Sequence, residues 1–224
     1  MKFLQICSTQ QKITIKQFLD RSTYVDPRFQ RRACWKAAQK ELFFRSLVKG
    51  YAVNPIINAV ARSCESYCTK QGFQREMGDF QHVIASYGAQ FISVDGQNRA
   101  AAIRAYWNNE FASGAFTVDG KRKLYKNLSK KEQTAFLGLE ILVVDITKAT
   151  YSQLTEVFVA VNGGLPLNRM ELRNALNSPA AHFVRDLFGS FPFILDRVES
   201  VTSSRMKDLD TALKAACFVH SKIV

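Results

Sequence analysis

The chain has 224 residues, of which 47% are hydrophobic and 17 are Phe. This composition excludes a globally disordered protein, and no apolar run reaches the ~20 residues of a membrane span. The net charge is +12, from 31 Lys and Arg against 19 Asp and Glu. Such an excess favours a polyanionic partner, usually nucleic acid, either DNA or RNA. The alternative is a basic surface that only keeps the protein soluble.

In chain order, the first half predicts a short strand and turn over 12–19, a helix over 36–49, a buried strand in NPIINAVAR (54–62) and a polar insertion over 62–88. The helix ends before Gly50, a natural helix terminator. The strand assignment follows from an apolar run that comes directly after a turn. The insertion is assigned because its sequence is polar and interrupted by glycines.

The second half predicts a strand over 91–94, a helix over 97–108, a capping box at 129–132, a strand in LEILVVDI (139–146) and a helix over 150–161. We expect LEILVVDI to be a central strand because it is β-branched and almost entirely apolar. Further helices are predicted over 169–177, from 178, and over 204–222. The predicted fold is α+β, a small mixed sheet flanked by helices in residues 1–177, with residues 178–224 as a helical extension packed on it.

Basic side chains are concentrated in two stretches. Residues 1–50 hold eleven Lys or Arg and three acids, and residues 121–131, KRKLYKNLSKK, hold six basic residues and no acid. We expect nucleic-acid contacts from Arg28, Arg32, Lys36, Lys121, Arg122 and Lys123. Phosphate contacts release counterions, so the affinity of such binding should fall steeply as salt rises. Because they carry no direct sequence information, the affinity should be about equal for all sequences.

The cysteines and the N-terminus predict the compartment. Five Cys residues, an odd number without framework spacing, suit a reducing cytoplasm. The first residues hold no sustained apolar region, so we predict no signal peptide. Cys64 and Cys68 with His82 form a weak zinc candidate, since C-x-x-x-C lacks the usual spacing. Buried thiols are the preferred interpretation, and we predict no metal site.

The stretch FISVDGQNRAAAIRAYW (91–107) places five unusual residues, Asp95-Gly96-Gln97-Asn98-Arg99, where a strand becomes a helix. A helix N-terminus presents free N–H groups and a positive dipole end, which together favour an anion. Gly96 would let the backbone approach a ligand, and Arg99 could bind a phosphate bidentately. The structural alternatives are that Asp95 caps the helix, or that Arg99 pairs with Asp95 or Glu171 and pins the turn.

Two other stretches favour a ligand site. FQRRACW (29–35) sets arginines beside aromatic residues, a pattern suited to phosphate and base contacts. VFVAVNGGLPLNRMELRNAL (157–176) joins a glycine-rich turn to a polar helix. The structural alternatives are a loop pinned by Phe29 and Trp35, and helix capping by Asn168.

These motifs together resemble the DGQQR-motif family of the ParB/sulfiredoxin-like superfamily, which forms the N-terminal half of GmrSD-type modification-dependent restriction enzymes. The motifs that carry the resemblance are Phe29-Gln30-Arg31 with Trp35, SLVKGYAVNPI (46–56), the turn at 95–99, and residues 158–175. They occur in the family's order over residues 24–175.

The resemblance implies a nucleotide-binding and hydrolysing domain that often controls a nuclease attacking modified or foreign DNA. Carried over onto this sequence, Asp95, Gln97 and Arg99 are the expected catalytic residues. The expected nucleotide- and phosphate-binding residues are Gly96, Asn98, Gln30, Arg31, Asn162, Gly164 and Asn168. The implied cofactor is a nucleoside triphosphate, with or without Mg²⁺, whose identity the sequence leaves open.

The sequence departs from the family pattern at several points. Asn98 replaces the second glutamine, and Ala160 replaces an arginine, which removes a cation and brings hydrolysis into doubt more than binding. The three histidines are too far apart in sequence to predict a His-Asn-His nuclease site.

Three functions therefore stay open. The first is a nucleotide-dependent enzyme, an NTPase or ParB-like nuclease, acting on DNA in bacterial or phage defence or counter-defence. The second is a non-catalytic adaptor that senses DNA or a nucleotide and recruits a separate nuclease. The third is a phage structural or assembly protein reusing the fold. The apolar face of the last helix suits either core packing or self-association into a homo-oligomer.

Overall fold

The computed structural model describes residues 6–27 and 35–162, and the single positions Phe183 and Lys214. The chain divides into two compact units, residues 1–25 with 33–154, and residues 26–32 with 155–224. The five strands of the described sheet all belong to the first unit. The predicted boundary between residues 177 and 178 lies outside the described residues.

The described elements are β1 (Cys7–Thr14), α1 (Ile15–Leu19), β2 (Thr23–Val25), α2 (Ala37–Val48), β3 (Ile56–Val60), α3 (Ala61–Gln71), α4 (Gln74–Tyr87), β4 (Phe91–Asp95), α5 (Gln97–Trp107), α6 (Lys130–Gly138), β5 (Glu140–Lys148) and α7 (Tyr151–Val161). A short 3-10 helix, Tyr125–Asn127, precedes α6. This mixture of strands and helices confirms the predicted α+β class. The helices predicted over 36–49, 97–108 and 150–161 correspond to α2, α5 and α7.

The strands form one mixed sheet in the order β1-β5-β3-β4-β2. β5 pairs antiparallel with β1 and parallel with β3, while β4 pairs antiparallel with β3 and parallel with β2. β5 is therefore an interior strand, as its apolar sequence predicts. β3 lies at the middle of the sheet and separates β5 from β4.

A hydrophobic core joins the sheet to α1, α2, α5 and α6. Its sheet residues are Ile13, Ile56, Ile141 and Val143, and its helix residues include Phe18, Phe44, Ile103, Tyr106 and Phe136. The rings of Phe44, Tyr106 and Phe136 contact one another within an aromatic cluster. Packing of this size fixes α5 firmly on the sheet, and with it the turn that leads from β4 into α5.

The prediction of a polar insertion over 62–88 is wrong, because this segment forms α3 and α4. Each helix buries a narrow apolar stripe at helical spacing, which is Ala61, Cys64 and Cys68 on α3 and Phe80 and Val83 on α4. Because their outer faces are polar, the helical spacing of the few apolar residues is not evident in the sequence. Gly72 ends α3 with a φ of 74° and Gly88 ends α4 with a φ of 57°, while Gly78 lies within α4 without interrupting it.

The prediction of a strand and turn over 12–19 is also partly wrong. β1 continues only to Thr14, and α1 begins at Ile15. Thr14 and Gln17 form a capping box, in which each side chain accepts a hydrogen bond from the other residue's backbone N–H. The cap turns the chain into a helix where the apolar spacing alone resembles a strand.

Candidate functional site

The turn between β4 and α5 has the position that the sequence predicts. β4 ends at Asp95, Gly96 is the N-cap residue with a φ of 88°, and α5 begins at Gln97. Gln97 and Asn98 therefore lie in the first turn of the helix. Asp95 is not the helix cap, because the cap position belongs to Gly96 and no side chain caps this helix.

Gly96 has two structural reasons to be glycine. Its positive φ is a conformation that L side chains rarely adopt. A Cβ atom at this position would also lie only 2.9 Å from the Cα atom of Ile56, the first residue of β3. The sequence predicts that the lack of a side chain at Gly96 lets the backbone approach a ligand. In the structure, the backbone of Gly96 approaches the neighbouring strand β3.

Arg99 is fixed by two contacts of the same nitrogen. Its Nη2 donates to the carbonyl oxygen of Pro55 at 2.9 Å and pairs with Asp95 Oδ2 at 3.0 Å. The Arg99 side chain is 14% exposed and that of Asp95 is 30% exposed. The pairing of Arg99 with Asp95, the structural alternative that the sequence left open, is therefore present. The bond to Pro55 joins α5 to the segment that precedes β3.

An open cavity of about 390 Å³ lies beside Arg99. Its other lining residues include Trp35, Gln39, Phe43, Ser46, Val53 and Asn54. The rings of Trp35 and Phe43 are 5.7 Å apart. This volume falls within the roughly 300–1,000 Å³ of small-molecule pockets. The cavity therefore brings together a cation, aromatic rings, amides and a hydroxyl.

The other residues of the turn support the cavity. Asn98 Oδ1 accepts a hydrogen bond from the backbone N–H of Trp35 at 3.3 Å, which ties the Trp35 segment to α5. Gln97 is buried at 8% exposed. The Nε atom of Arg99 is buried and has no hydrogen-bond partner among the described residues. Arg99 is thus the member of the turn that lines the cavity, while Asp95 and Asn98 position its walls.

Some of the basic residues predicted to contact nucleic acid lie close to acidic side chains. Lys36 is exposed immediately before α2, and Lys121 and Arg122 are exposed before the 3-10 helix. Lys123 Nζ lies 3.7 Å from Glu132 Oε1. The backbone N–H of Lys121 donates to Asp119 at 3.1 Å, and this bond, helped by nearby Lys charges, lowers the pKa of Asp119. Acids on either side therefore partly neutralise the basic run.

Several predicted site residues cannot be placed. Arg28, Gln30, Arg31, Arg32, Gly164 and Asn168 lie outside the described residues. Asn162 belongs to the second unit, where its Nδ2 donates to the carbonyl oxygen of Phe158 at 2.8 Å. Their convergence on Arg99 stays a prediction.

A buried polar row that the sequence motifs did not predict crosses the middle strands of the sheet. Asp145 on β5 is 4% exposed and accepts hydrogen bonds from Arg21 Nη1 at 2.9 and 3.1 Å and from Gln11 Nε2 at 2.8 Å. It pairs in register with Asn58 on β3, whose buried amide has no partner among the described residues. The available signal was Asp145 near the end of the apolar run LEILVVDI, whose other acid, Glu140, is exposed at the start of β5.

Cys64 and Cys68 are buried thiols, the interpretation that the sequence favoured. Burial raises the pKa of Cys64 to about 12 and that of Cys68 to about 11. Both thiols are therefore protonated near neutral pH. Among the residues that the structure describes, no three His, Cys, Asp or Glu side chains are grouped to hold a metal ion.

A family model described as the N-terminal domain of GmrSD restriction endonuclease matches residues 15–178. The chain belongs to this family. The match includes the turn at 95–99 and the cavity residues, and it confirms the resemblance that the sequence motifs predict. The mixed sheet is consistent with a ParB-like fold. Membership of the GmrSD family indicates a role in restriction or phage defence and is consistent with a nucleic-acid partner.

The searches of curated proteins and of solved structures each returned no match. Within residues 6–27 and 35–162, no helix is long and apolar enough to cross a bilayer.

Proposed function

We propose that this GmrSD-family domain binds a nucleoside triphosphate in the cavity beside Arg99, and that the bound nucleotide controls its action on DNA. The observation that carries the proposal is the placement of Arg99. Its guanidinium group is held by Asp95 and Pro55 at the wall of a cavity that also contains Trp35. A fixed cation next to an aromatic ring suits a ligand with a phosphate group and a base.

Arg99 suits phosphate binding because the contacts to Asp95 and Pro55 use one end of the guanidinium group. An arginine has five N–H donors in a planar fork, and both contacts engage Nη2. Nη1 makes no hydrogen bond within the described structure. A guanidinium that is already fixed loses little conformational entropy when it binds a phosphate. The positive end of the α5 dipole adds to the attraction for an anion.

The rest of the cavity suits a nucleobase. Trp35 is partly exposed at the cavity and packs on the buried Phe43 ring, and stacking of a base on an aromatic ring contributes about 1–3 kcal/mol. Gln39, Ser46 and Asn54 supply amide and hydroxyl groups along the same wall. Such groups can hydrogen-bond the edge of a base and so set which nucleotide binds best.

Binding without hydrolysis is the second candidate function, and the pairing of Asp95 favours it. An aspartate that holds an arginine at 3.0 Å is less available as a general base or as a ligand for Mg²⁺. The exposed side of its carboxylate would still accept Mg²⁺ carried by the phosphates. Ala160, where the family has an arginine, supplies no charge to a transition state. On this second candidate the domain is a nucleotide-dependent adaptor for a separate nuclease.

Binding is tested by titrating the four nucleoside triphosphates into the protein with and without Mg²⁺. We expect at least one to bind saturably. Trp35→Leu should weaken it by about 5-fold to 100-fold, since stacking contributes about 1–3 kcal/mol. The matched control is Trp107→Leu, because Trp107 lies at the other end of α5 and packs on Tyr125 at 4.6 Å. Equal affinities of the two variants, or no binding by the unmodified protein, would overturn the proposal.

Phosphate release separates the two candidates. Each nucleotide that binds is incubated with the protein, with and without DNA, and inorganic phosphate is measured. Release that depends on Asp95 identifies an NTPase. Binding with release no faster than in a protein-free control identifies the adaptor.

A further inference from the structure

A second open pocket lies along α3, outside the motifs that carry the family resemblance. Its volume is about 550 Å³, and α3 and the end of β5 form its walls. We name it the α3 groove, defined by Arg62, Ser63, Ser66, Tyr67, Lys70 and Lys148. No Asp or Glu lines it.

The three cations of the α3 groove are unpaired. Arg62, Lys70 and Lys148 are exposed and make no ion pair or side-chain hydrogen bond within the described structure. In contrast, Arg21 and Arg45 each pair with a carboxylate at 2.9 and 2.8 Å. Three like charges in one groove repel one another, and a polyanion would relieve that repulsion.

Helix geometry places the polar groups of α3 in one row. Arg62, Ser66 and Lys70 are spaced four residues apart and so lie on one face. Arg62 and Lys70 are separated by about 12 Å along the axis at 1.5 Å per residue. That length covers several phosphates, because each strand of DNA carries one charge per about 3.4 Å of helix axis. The half-buried Tyr67 ring and the serine hydroxyls can contact sugars and phosphates between the cations.

The buried side of α3 holds this row toward solvent. The Cys64 thiol contacts the carbonyl oxygen of Ile146 at 3.6 Å, and the Cys68 thiol contacts that of Ala149 at 3.8 Å. Both cysteines are fully buried. The basic face of α3 is therefore a rigid surface, which loses little entropy when a strand binds to it.

The α3 groove is separate from the cavity beside Arg99. Gly96 contacts Ile56 at the start of β3, whereas α3 begins directly after Val60 at the end of β3. Lys148 follows the part of β5 that pairs with the end of β3. The two ends of β3 are about 13 Å apart at 3.3 Å per residue. The cavity and the groove therefore need separate ligand groups.

We propose that the α3 groove binds the phosphodiester backbone of DNA. The inference rests on the DNA part of the proposed function and names the surface that carries it. It does not depend on nucleotide binding. The contacts are electrostatic and have no means of reading base edges, so binding should not depend on sequence.

The test measures DNA affinity as a function of salt for the full chain. Fluorescein-labelled DNA, single-stranded and duplex, is titrated with the unmodified protein, with Arg62→Gln/Lys70→Gln/Lys148→Gln, and with the control Lys12→Gln/Lys16→Gln/Lys131→Gln. The control removes the same charge from exposed lysines outside the groove. Melting temperatures verify that all three proteins are folded.

We expect the groove variant to lose about 2 to 3 units of the slope of log affinity against log salt, and roughly a hundredfold in affinity at about 0.1 M salt. The control should keep its slope. Equal slopes for the two variants, or no DNA binding by the unmodified protein at low salt, would overturn the inference. Nucleoside triphosphate affinity measured on the same proteins should be unchanged. Failure of nucleotide binding in the unmodified protein would reject the proposed cavity and leave the groove result standing.

Discussion

The Cα atom of Ile56 occupies the space that a side chain on Gly96 would need, at 2.9 Å from the position of its Cβ atom. Gly96→Ala should therefore strain the backbone at its positive φ and also push β3 away from the turn. We expect it to lower the free energy of unfolding by about 2–4 kcal/mol. Urea denaturation measures this loss directly.

Two other glycines separate the causes of that loss. Gly72 has a φ of 74° with nothing within 4 Å of its Cβ position, so Gly72→Ala should show backbone strain alone, about 1 kcal/mol. Gly78 lies within α4 with open space around it, so Gly78→Ala should be neutral or stabilising by up to about 1 kcal/mol. If Gly96→Ala costs no more than Gly72→Ala, the contact with Ile56 does not constrain the turn.

The buried pair of Arg21 and Asp145 gives a second prediction. Arg21→Met leaves the Asp145 carboxylate buried without its cation, which should cost about 3–5 kcal/mol of unfolding free energy. Adding Asp145→Leu removes the stranded charge, so the double variant should recover most of the loss. Urea denaturation of both single variants and the double variant forms the cycle. A double variant whose losses simply add would show that the two side chains are not coupled.

The buried thiol of Cys64 gives a prediction at alkaline pH. Its pKa is about 12 in the fold, against 9.0 for an ordinary thiol. Above pH 9 the unfolded chain releases this proton while the folded chain keeps it. The thiol therefore does not lower the free energy of unfolding below pH 9, and it lowers it progressively as pH rises toward 12. The slope for one thiol is about 1.4 kcal/mol per pH unit.

Cys64→Ala is the matched control for this slope. The variant should lose stability less steeply than the unmodified protein over the same pH range, as measured by denaturation at each pH. Parallel curves for the two proteins would mean that Cys64 ionises in the fold as readily as in the unfolded chain.

The sequence predicts the turn at 95–99 because the local signals agree there. A short apolar run, an Asp-Gly pair and a series of helix formers each favour the same boundary between strand and helix. The contacts that explain the turn were not predictable in this way. Gly96 meets Ile56 and Arg99 meets Pro55 only because β3 pairs with β4 in one particular register, and that register depends on the whole sheet.

The difference between local signals and tertiary contacts also explains why neither helix α3 nor its basic groove was predicted from the sequence. Its buried stripe consists only of Ala61, Cys64 and Cys68, too few apolar residues for helical spacing to stand out in a polar sequence. The cations Arg62 and Lys70 are far from Lys148 in sequence, and they share a groove only because α3 packs on the end of β5. Charge composition indicated a nucleic-acid partner but could not choose among the exposed basic residues.

The proposed nucleotide site depends chiefly on Arg99, and the contacts of Arg99 determine how its variants should change stability and nucleotide affinity. Arg99→Ala removes the bonds to Pro55 and Asp95, so it should lower stability by about 1–3 kcal/mol. Because it also removes a cation from the cavity, nucleotide affinity should fall roughly tenfold to a hundredfold per folded molecule. Arg99→Lys should restore only part of that affinity, since a single ammonium group cannot reproduce the planar fork.

The most direct measurement is therefore the nucleoside triphosphate dissociation constant of Arg99→Ala and Arg99→Lys, taken at a temperature where each variant's melting curve shows it fully folded. The account predicts weak binding by the alanine variant and intermediate binding by the lysine variant. Unchanged affinity in a folded but less stable Arg99→Ala protein would contradict it, and would show that Arg99 only joins α5 to the segment before β3.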